Sequence, residues 1–196
     1  MNVRLASGNP HKLRELRALL PAWRIDPLDV IDMPEETGET FYANARSKAR
    51  FGGSVGERGA WTLGEDSGLE VEGLDGRPGI RSARYAGTHA SDEANVARLL
   101  EELAHVTGED RRARYVCELV LLSPERDEFR GTGTLTGRIA DEPRGAGGFG
   151  YDPVFVPDGE AATVAELGDA WKGAHSHRAR AAAALRAAVG SEAGEG

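Results

Sequence analysis

The sequence predicts an α/β protein, and three observations carry that expectation. The chain opens with a short apolar strand, Asn2 to Ala6, that passes through a Ser7-Gly8-Asn9 turn straight into a helix. Helical periods recur at Thr40 to Phe51 and from Ser91 to about Ala104, with strand-like stretches between and after them. Beyond residue 112 the period shortens, and two strand runs follow one another, Ala113 to Leu122 and Phe129 to Ile139.

Size and composition agree with a soluble globular domain. At 196 residues, with 40% hydrophobic and 29% charged residues, one domain spanning 1–190, compact or two-lobed, is expected, with 191–196 as a frayed tail. A net charge of −8 argues against a broad nucleic-acid surface, which needs clustered positive charge. It leaves room for an anionic small molecule held by a few converging lysines and arginines. The single cysteine, Cys117, permits no intrachain disulfide and is expected to pack as a small hydrophobe. The five histidines show no zinc spacing. No signal peptide and no membrane-length apolar run stand out, so a cytoplasmic protein without nucleic-acid or membrane partners is expected.

Taken in order, the first helix runs from Lys12 to Leu20, with Leu13, Leu16, Leu19 and Leu20 on one face, and Pro21 stops it. Backbone N–H groups at such a helix start attract anions, and Lys12 adds a full charge. Ordinary capping by Ser7 or Asn9 explains the same residues. A second strand is expected over Trp23 to Ile31, interrupted at Pro27. The acidic loop Pro34 to Phe41 leads into the helix capped by Thr40, with Phe41, Ala45 and Ala49 along one side. Asn44 and Lys48 lie one turn apart on a shared face, which also suits a solvated polar surface. Gly52 to Gly59 is expected to break the chain.

Leu63-Gly64-Glu65-Asp66-Ser67-Gly68-Leu69-Glu70-Val71 sets two adjacent carboxylates between apolar residues, with glycines on both sides. Ala60 to Leu63 and Leu69 to Val71 read as two short strands around that pair. Paired carboxylates at a strand end suit a hard divalent cation. An acidic hairpin turn fits the same window. Residues 73–80 are turn chemistry, and Arg81 to Ala86 suggests a short helix. Ser91 caps the next helix, with Leu99, Leu100 and Leu103 as core. The two later strands are expected to pair antiparallel. A glycine-rich loop, Pro143 to Gly150, precedes a short strand at Val154 to Val156 and a helical turn at Ala162 to Leu167. The last helix opens at Ser176-His177-Arg178 and runs to about Val189, with Leu185 and Val189 for docking. Trp23, Trp61 and Trp171 read as packing residues.

Five pieces stand together in this order: Ser7-Gly8-Asn9-x-x-Lys12; Glu35-Glu36-Thr37-Gly38-x-Thr40-Phe41-x-x-Asn44-Ala45-x-x-Lys48-Ala49; Glu65-Asp66-Ser67-Gly68-Leu69; Gly148-Phe149-Gly150-Tyr151-Asp152-Pro153; and Ser176-His177-Arg178. With them the chain closely resembles the inosine triphosphate pyrophosphatase family from Leu5 to about Leu185. That resemblance implies a long, curved mixed sheet with two lobes flanking a central active-site cleft, and a homodimer. It implies Mg²⁺-dependent hydrolysis of ITP, dITP or XTP to the monophosphate and pyrophosphate. It gives Ser7, Gly8, Asn9, Pro10, His11 and Lys12 the phosphates, and Glu35 and Asp66 the metal, with Asp66 as proton acceptor. Ser67, Phe149, Gly150, Tyr151, Asp152, Lys172, His177 and Arg178 would contact the nucleotide, and Lys48 would add positive charge beside Lys12. A pyrimidine-directed pyrophosphatase and a catalytically silent nucleotide sensor are the rival readings.

Overall fold

The computed structural model describes residues 1–30, 33–56 and 59–192. Its elements are β1 (Asn2–Ala6), α1 (Pro10–Leu19), β2 (Arg24–Pro27), α2 (Phe41–Val55), β3 (Trp61–Val71), α3 (Asp92–Glu102), β4 (Arg112–Leu122), β5 (Glu128–Ile139), β6 (Phe155–Pro157), α4 (Val164–His175) and α5 (His177–Glu192). Among the described residues the strands form one open sheet in the order β2-β1-β3-β4-β5-β6. β1 runs parallel to both β2 and β3, while β6 is antiparallel to β5, so the sheet is mixed. An α/β protein was expected and is found.

The chain divides into two compact units, and β3, β4 and β5 each contribute residues to both. The first unit holds Met1–Asp66, Cys117–Gly133 and His177–Gly196. Its main core gathers Val3, Leu5, Leu16, Leu63, Leu119 and Leu185, and a second cluster sets Ala45 and Ala49 of α2 against Val120 and Leu122 of β4. α1 begins where Asn9 Oδ1 accepts from the N–H groups of His11 at 2.9 Å and Lys12 at 3.3 Å. Pro10 occupies the first helical position, where its missing N–H costs nothing. Gly131 and Gly133 on β5 explain the close seat of α5. A Cβ at either would collide with α5 backbone, the Ala181 carbonyl at one and the His177 carbonyl at the other.

The second unit holds Ser67–Val116 and Thr134–Ser176. Leu69, Val71, Leu99, Leu103, Tyr115 and Phe155 lie in its core. Ser91 caps α3 by accepting from the Ala94 N–H at 3.2 Å. A capping box between Thr163 and Glu166 starts α4, which kinks at Gly168 (φ 80°) and continues to His175.

Several boundaries depart from expectation. The carboxylate stretch is not two short strands around a turn but one strand, β3, of 11 residues. Gly64 serves close approach rather than turning, since a Cβ there would run into the Ala45 carbonyl and come 2.6 Å from the Ala49 nitrogen of α2. Burial on both faces also hides the period-two alternation of a half-exposed strand. α2 continues through Gly52 and Gly53 to Val55, because Gly52 packs on Ala6 and Thr62; packing outweighs the weak helix propensity of glycine. The second strand shrinks to Arg24–Pro27, and its expected end at Ile31 lies outside the described residues. The helical turn expected near 162–167 is the first part of the longer α4. Of the tail, Ser191 and Glu192 belong to α5, and 193–196 lie outside the described residues.

The Gly64 contact makes a stability prediction. Gly64→Ala forces α2 away from β3 and should cost about 1–3 kcal/mol, the usual range for overpacking. Urea unfolding should show a lower midpoint at an unchanged slope. An unaltered midpoint would mean that α2 yields without cost.

Candidate active site

In the first unit, charged side chains from three helices, α1, α2 and α5, and from the loop before α2 meet around the buried carboxylates of β3. Glu65 is fully buried and takes three cationic contacts. Lys12 Nζ of α1 lies 2.6 Å from Oε2, and Arg178 of α5 donates to Oε1 from Nη2 at 2.9 Å and Nε at 3.3 Å. Arg178 also pairs with Glu15 of α1. Burial alone would raise the Glu65 pKa, but the charges of Lys12, Arg178 and Lys48 outweigh it and hold the carboxyl below the usual carboxylate range. Cys117 Sγ of β4 packs 3.7 Å from Glu65 Oε1, and burial pushes its thiol pKa well up.

Asp66 faces a different set of partners. Asn44 of α2 donates its amide to Oδ2 at 3.0 Å, and Lys48, one turn further on, approaches Oδ1 at 3.4 Å. Lys48 Nζ also donates to the Glu65 carbonyl at 3.0 Å and pairs with Glu36. Burial raises the Asp66 pKa, with Lys48 and Lys12 opposing and Glu36 and Glu65 adding to it. Burial disfavours the Lys48 ammonium, but Asp66, Glu36 and Glu65 prevail and raise its pKa. Two adjacent residues on one strand therefore sit in opposite electrostatic states. Glu65 is locked as an anion between cations, and Asp66 is a carboxylate of raised basicity.

The expected phosphate grip lies at the start of α1. Ser7 Oγ accepts from the Asn9 N–H at 3.2 Å, which shapes the turn before the helix. Gly8 and Pro10 are exposed, and His11 Nδ1 lies 3.4 Å from Arg14. Glu35 is exposed, and the neighbouring Glu36 is the carboxylate that reaches Lys48.

In the second unit, Lys172 of α4 pairs with Asp152 Oδ2 at 2.6 Å and stands 4.1 Å from the centre of the Phe149 ring. Asp152 Oδ2 also accepts the Phe149 N–H at 2.9 Å, and Oδ1 accepts from Tyr115 at 3.3 Å. Gly148 (φ 76°) and Gly150 (φ 65°) turn the backbone on either side of Phe149 through left-handed conformations that glycine adopts freely. The Tyr151 hydroxyl donates to the Ser82 carbonyl at 2.8 Å, and Asp92 Oδ2 accepts from the Gly150 N–H at 2.6 Å. Ser67 is half-buried on β3, next after Asp66. His177 and Arg178 are buried at the start of α5.

The structure thus brings Lys12, Lys48, Glu65, Asp66 and Arg178 into one cluster, and Phe149, Asp152 and Lys172 into another. Sequence reasoning missed Glu15, Glu36 and Asp92 as partners. Only Glu15 had a local signal, its place one turn beyond Lys12 on α1. Trp23, Trp61 and Trp171 do pack against the cores, and the Trp171 indole donates to Glu160 at 3.0 Å.

An open mixed sheet carrying paired lysines and carboxylates, with a separate aromatic and lysine cluster, defines an α/β protein equipped for nucleotide phosphate chemistry. More particularly, the chain belongs to the Ham1 family, whose model matches residues 3–188. It is 46% identical over 191 residues to a dITP/XTP pyrophosphatase of Geobacter sulfurreducens, with 95% of each chain covered. It is 44% identical over 188 residues to one of Bdellovibrio bacteriovorus, covering 92% of this chain and 94% of that one. The Ham1 protein of Staphylococcus aureus superposes with a TM-score of 0.86 at 38% identity, covering 98% of this chain and 100% of that one. A nucleoside-triphosphatase, dITP/XTP pyrophosphatase, of Mycobacterium abscessus gives 0.75 at 43% identity, covering 94% and 97%.

Proposed function

We propose that this protein hydrolyses the α–β phosphoanhydride of purine nucleotides bearing hypoxanthine or xanthine, namely ITP, dITP and XTP. The products are the nucleoside monophosphate and pyrophosphate, and the reaction clears these noncanonical nucleotides from the pool. The observation that carries the reading is the buried Lys12–Glu65 and Lys48–Asp66 arrangement, present complete in a chain whose relatives are named for this activity.

The donor set suits Mg²⁺. Asp66 and Glu36, both reached by Lys48 Nζ, offer the carboxylate oxygens that a hard cation takes, and Glu35 adjoins Glu36 in sequence. A magnesium ion held by one or two carboxylates completes its shell with water and substrate phosphate. Asp66 and Glu35 are the residues assigned to hold it, and when bound it neutralises phosphate oxygens. Lys12 and Lys48 exchange carboxylate partners for phosphate oxygens as the substrate enters. Asp66 accepts the proton of the water whose oxygen attacks the α-phosphorus, while the bond from that phosphorus to the bridging oxygen breaks and pyrophosphate departs.

The base is assigned to Phe149, as a stacking surface, and to Lys172 and Asp152 as polar contacts. Ser67, Gly150, Tyr151 and His177 border that role. Arg178 has its guanidinium engaged by Glu65 and Glu15, which supports a role in orienting Glu65 alongside any contact with the base. A keto oxygen at C6 separates hypoxanthine and xanthine from adenine, and an unmatched buried donor costs affinity for the amine. No described helix is long and apolar enough to cross a membrane. A cytoplasmic homodimer that binds neither nucleic acid nor membrane completes the proposal.

Pyrophosphate release from ITP, dITP, XTP, GTP, ATP and dTTP, with Mg²⁺ and with EDTA, tests the assignment. Fast turnover of the first three, abolished by EDTA, is expected. A preference for dTTP would move the enzyme to pyrimidine nucleotides. Tight ITP binding without pyrophosphate release would replace the enzyme with a sensor.

A further inference from the structure

We infer that Asp92, at the first turn of α3, is a positioning residue for base recognition, acting through the backbone of the Phe149 turn. The inference rests on the assignment of Phe149, Asp152 and Lys172 to the base. The turn is held by bonds within itself and by ties from Asp152 to its surroundings, to Lys172, to Tyr115 and, through its carbonyl, to the Ala165 N–H. Asp152 Oδ2 accepts the Phe149 N–H at 2.9 Å, and the Asp152 N–H reaches back to the Phe149 carbonyl at 3.4 Å. Those ties hold the Asp152 end of the turn, whereas the Gly150 end is held from α3. The bond from the Gly150 N–H to Asp92 Oδ2, at 2.6 Å, ties the turn to α3 58 residues away in sequence. A carboxylate acceptor makes this a charge-assisted bond, the stronger kind.

The far end of the tether is itself fixed. Ser91 caps α3, and Asn95, one turn after Asp92, accepts the Ala86 N–H at 2.8 Å and donates to the Ala83 carbonyl at 3.3 Å. Ser82, beside Ala83, donates to the Gly79 carbonyl, accepts the Leu69 N–H, and offers its own carbonyl to Tyr151. The residue after Gly150 is therefore anchored to the same 3₁₀ turn, Gly79–Arg84, that Asn95 anchors to α3. Asp92 closes this ring at Gly150. Gly150 is also a left-handed position next to Phe149, so an unheld turn would pivot there and carry the ring with it.

Asp92→Ala should raise the KM for ITP roughly five- to tenfold, as expected for losing one charge-assisted bond, and leave kcat within about twofold. The inhibition constant of inosine monophosphate should rise in parallel, whereas that of inorganic pyrophosphate should not move, because pyrophosphate has no base to stack. Asp92→Asn, which keeps an oxygen acceptor for the Gly150 N–H, should recover most of the loss. A thermal melt of each variant checks folding, and the Asn variant remains informative if the Ala variant folds poorly. Asp92→Ala with unchanged inosine monophosphate inhibition overturns the role of Asp92, as does an equal rise in both inhibition constants. Phe149→Ala run alongside separates the two layers. If it too leaves inosine monophosphate inhibition unchanged, the base assignment has failed; if it weakens inhibition while Asp92→Ala does not, only the positioning role has.

Discussion

Asp66→Asn should lower kcat for ITP or dITP roughly 10²–10⁴-fold, the range for removing a general base. The substitution keeps the side chain's size and removes its charge. In the native site Oδ2 receives the Asn44 amide and Oδ1 faces Lys48, so both oxygens are aimed by donors from α2. An asparagine can satisfy one of these donors with its carbonyl, but its own NH₂ must then face the other. The variant loses the proton acceptor and also one orienting contact. Folding should survive, because the buried charge removed is the one whose pKa burial already raises. Steady-state rates of pyrophosphate release at saturating substrate, with the melting temperature as a control, provide the check. A kcat within threefold of the native value in a well-folded variant would take Asp66 out of the proton transfer and leave the attacking water to another group.

Much of this arrangement was legible from local sequence. β1 falls where its apolar run places it, and α1 and α3 start within two residues of expectation, because Asn9 and Ser91 are capping residues ahead of clear apolar periods. The Glu65-Asp66 pair and Lys12 at a helix start stood out locally, Lys48 joined them through the family resemblance, and the Asn44–Lys48 spacing, which also suits a solvated face, is two donors one turn apart that both reach Asp66. What failed was non-local. Gly64 permits a turn or a close approach, and only the presence of α2 behind it decides between them. Gly52 and Gly53 look like helix breakers until packing against β1 and β3 retains them in α2. Glu15, Glu36 and Asp92 gain their roles from partners on other elements. A surface carboxylate and a tethering one are identical in sequence, so nothing marked Glu36 or Asp92, and Glu15 had only its place one turn beyond Lys12. Phe149, Asp152 and Lys172 were reached through family resemblance, since an aromatic in a glycine loop otherwise reads as packing.

The second large effect is expected at Arg178, and it is one of stability. The guanidinium is 1% exposed and its main partner, Glu65, is 0% exposed, so neither has water to fall back on. The contrast with Arg24 and Asp26 sets the scale: that pair sits with side chains 77% and 31% exposed, and such surface bridges contribute about 0–1 kcal/mol. Breaking a buried pair by removing one partner typically costs about 3–5 kcal/mol, because the remaining charge is left without compensation. Arg178→Leu takes two guanidinium bonds from Glu65, leaves it Lys12 at 2.6 Å, and removes one partner of Glu15. For a chain of this size the loss corresponds to a fall in Tm of roughly 10 °C. The decisive comparison adds Glu65→Gln to the same chain. If the cost is an uncompensated carboxylate, neutralising it should recover a substantial part of the lost stability, and the two substitutions should be non-additive by more than about 1 kcal/mol. Additive losses would mean that Arg178 stabilises the fold through the packing of its stem between α1 and α5. A single-variant loss below about 1 kcal/mol would mean that water reaches Glu65 and that the pair behaves as a surface bridge.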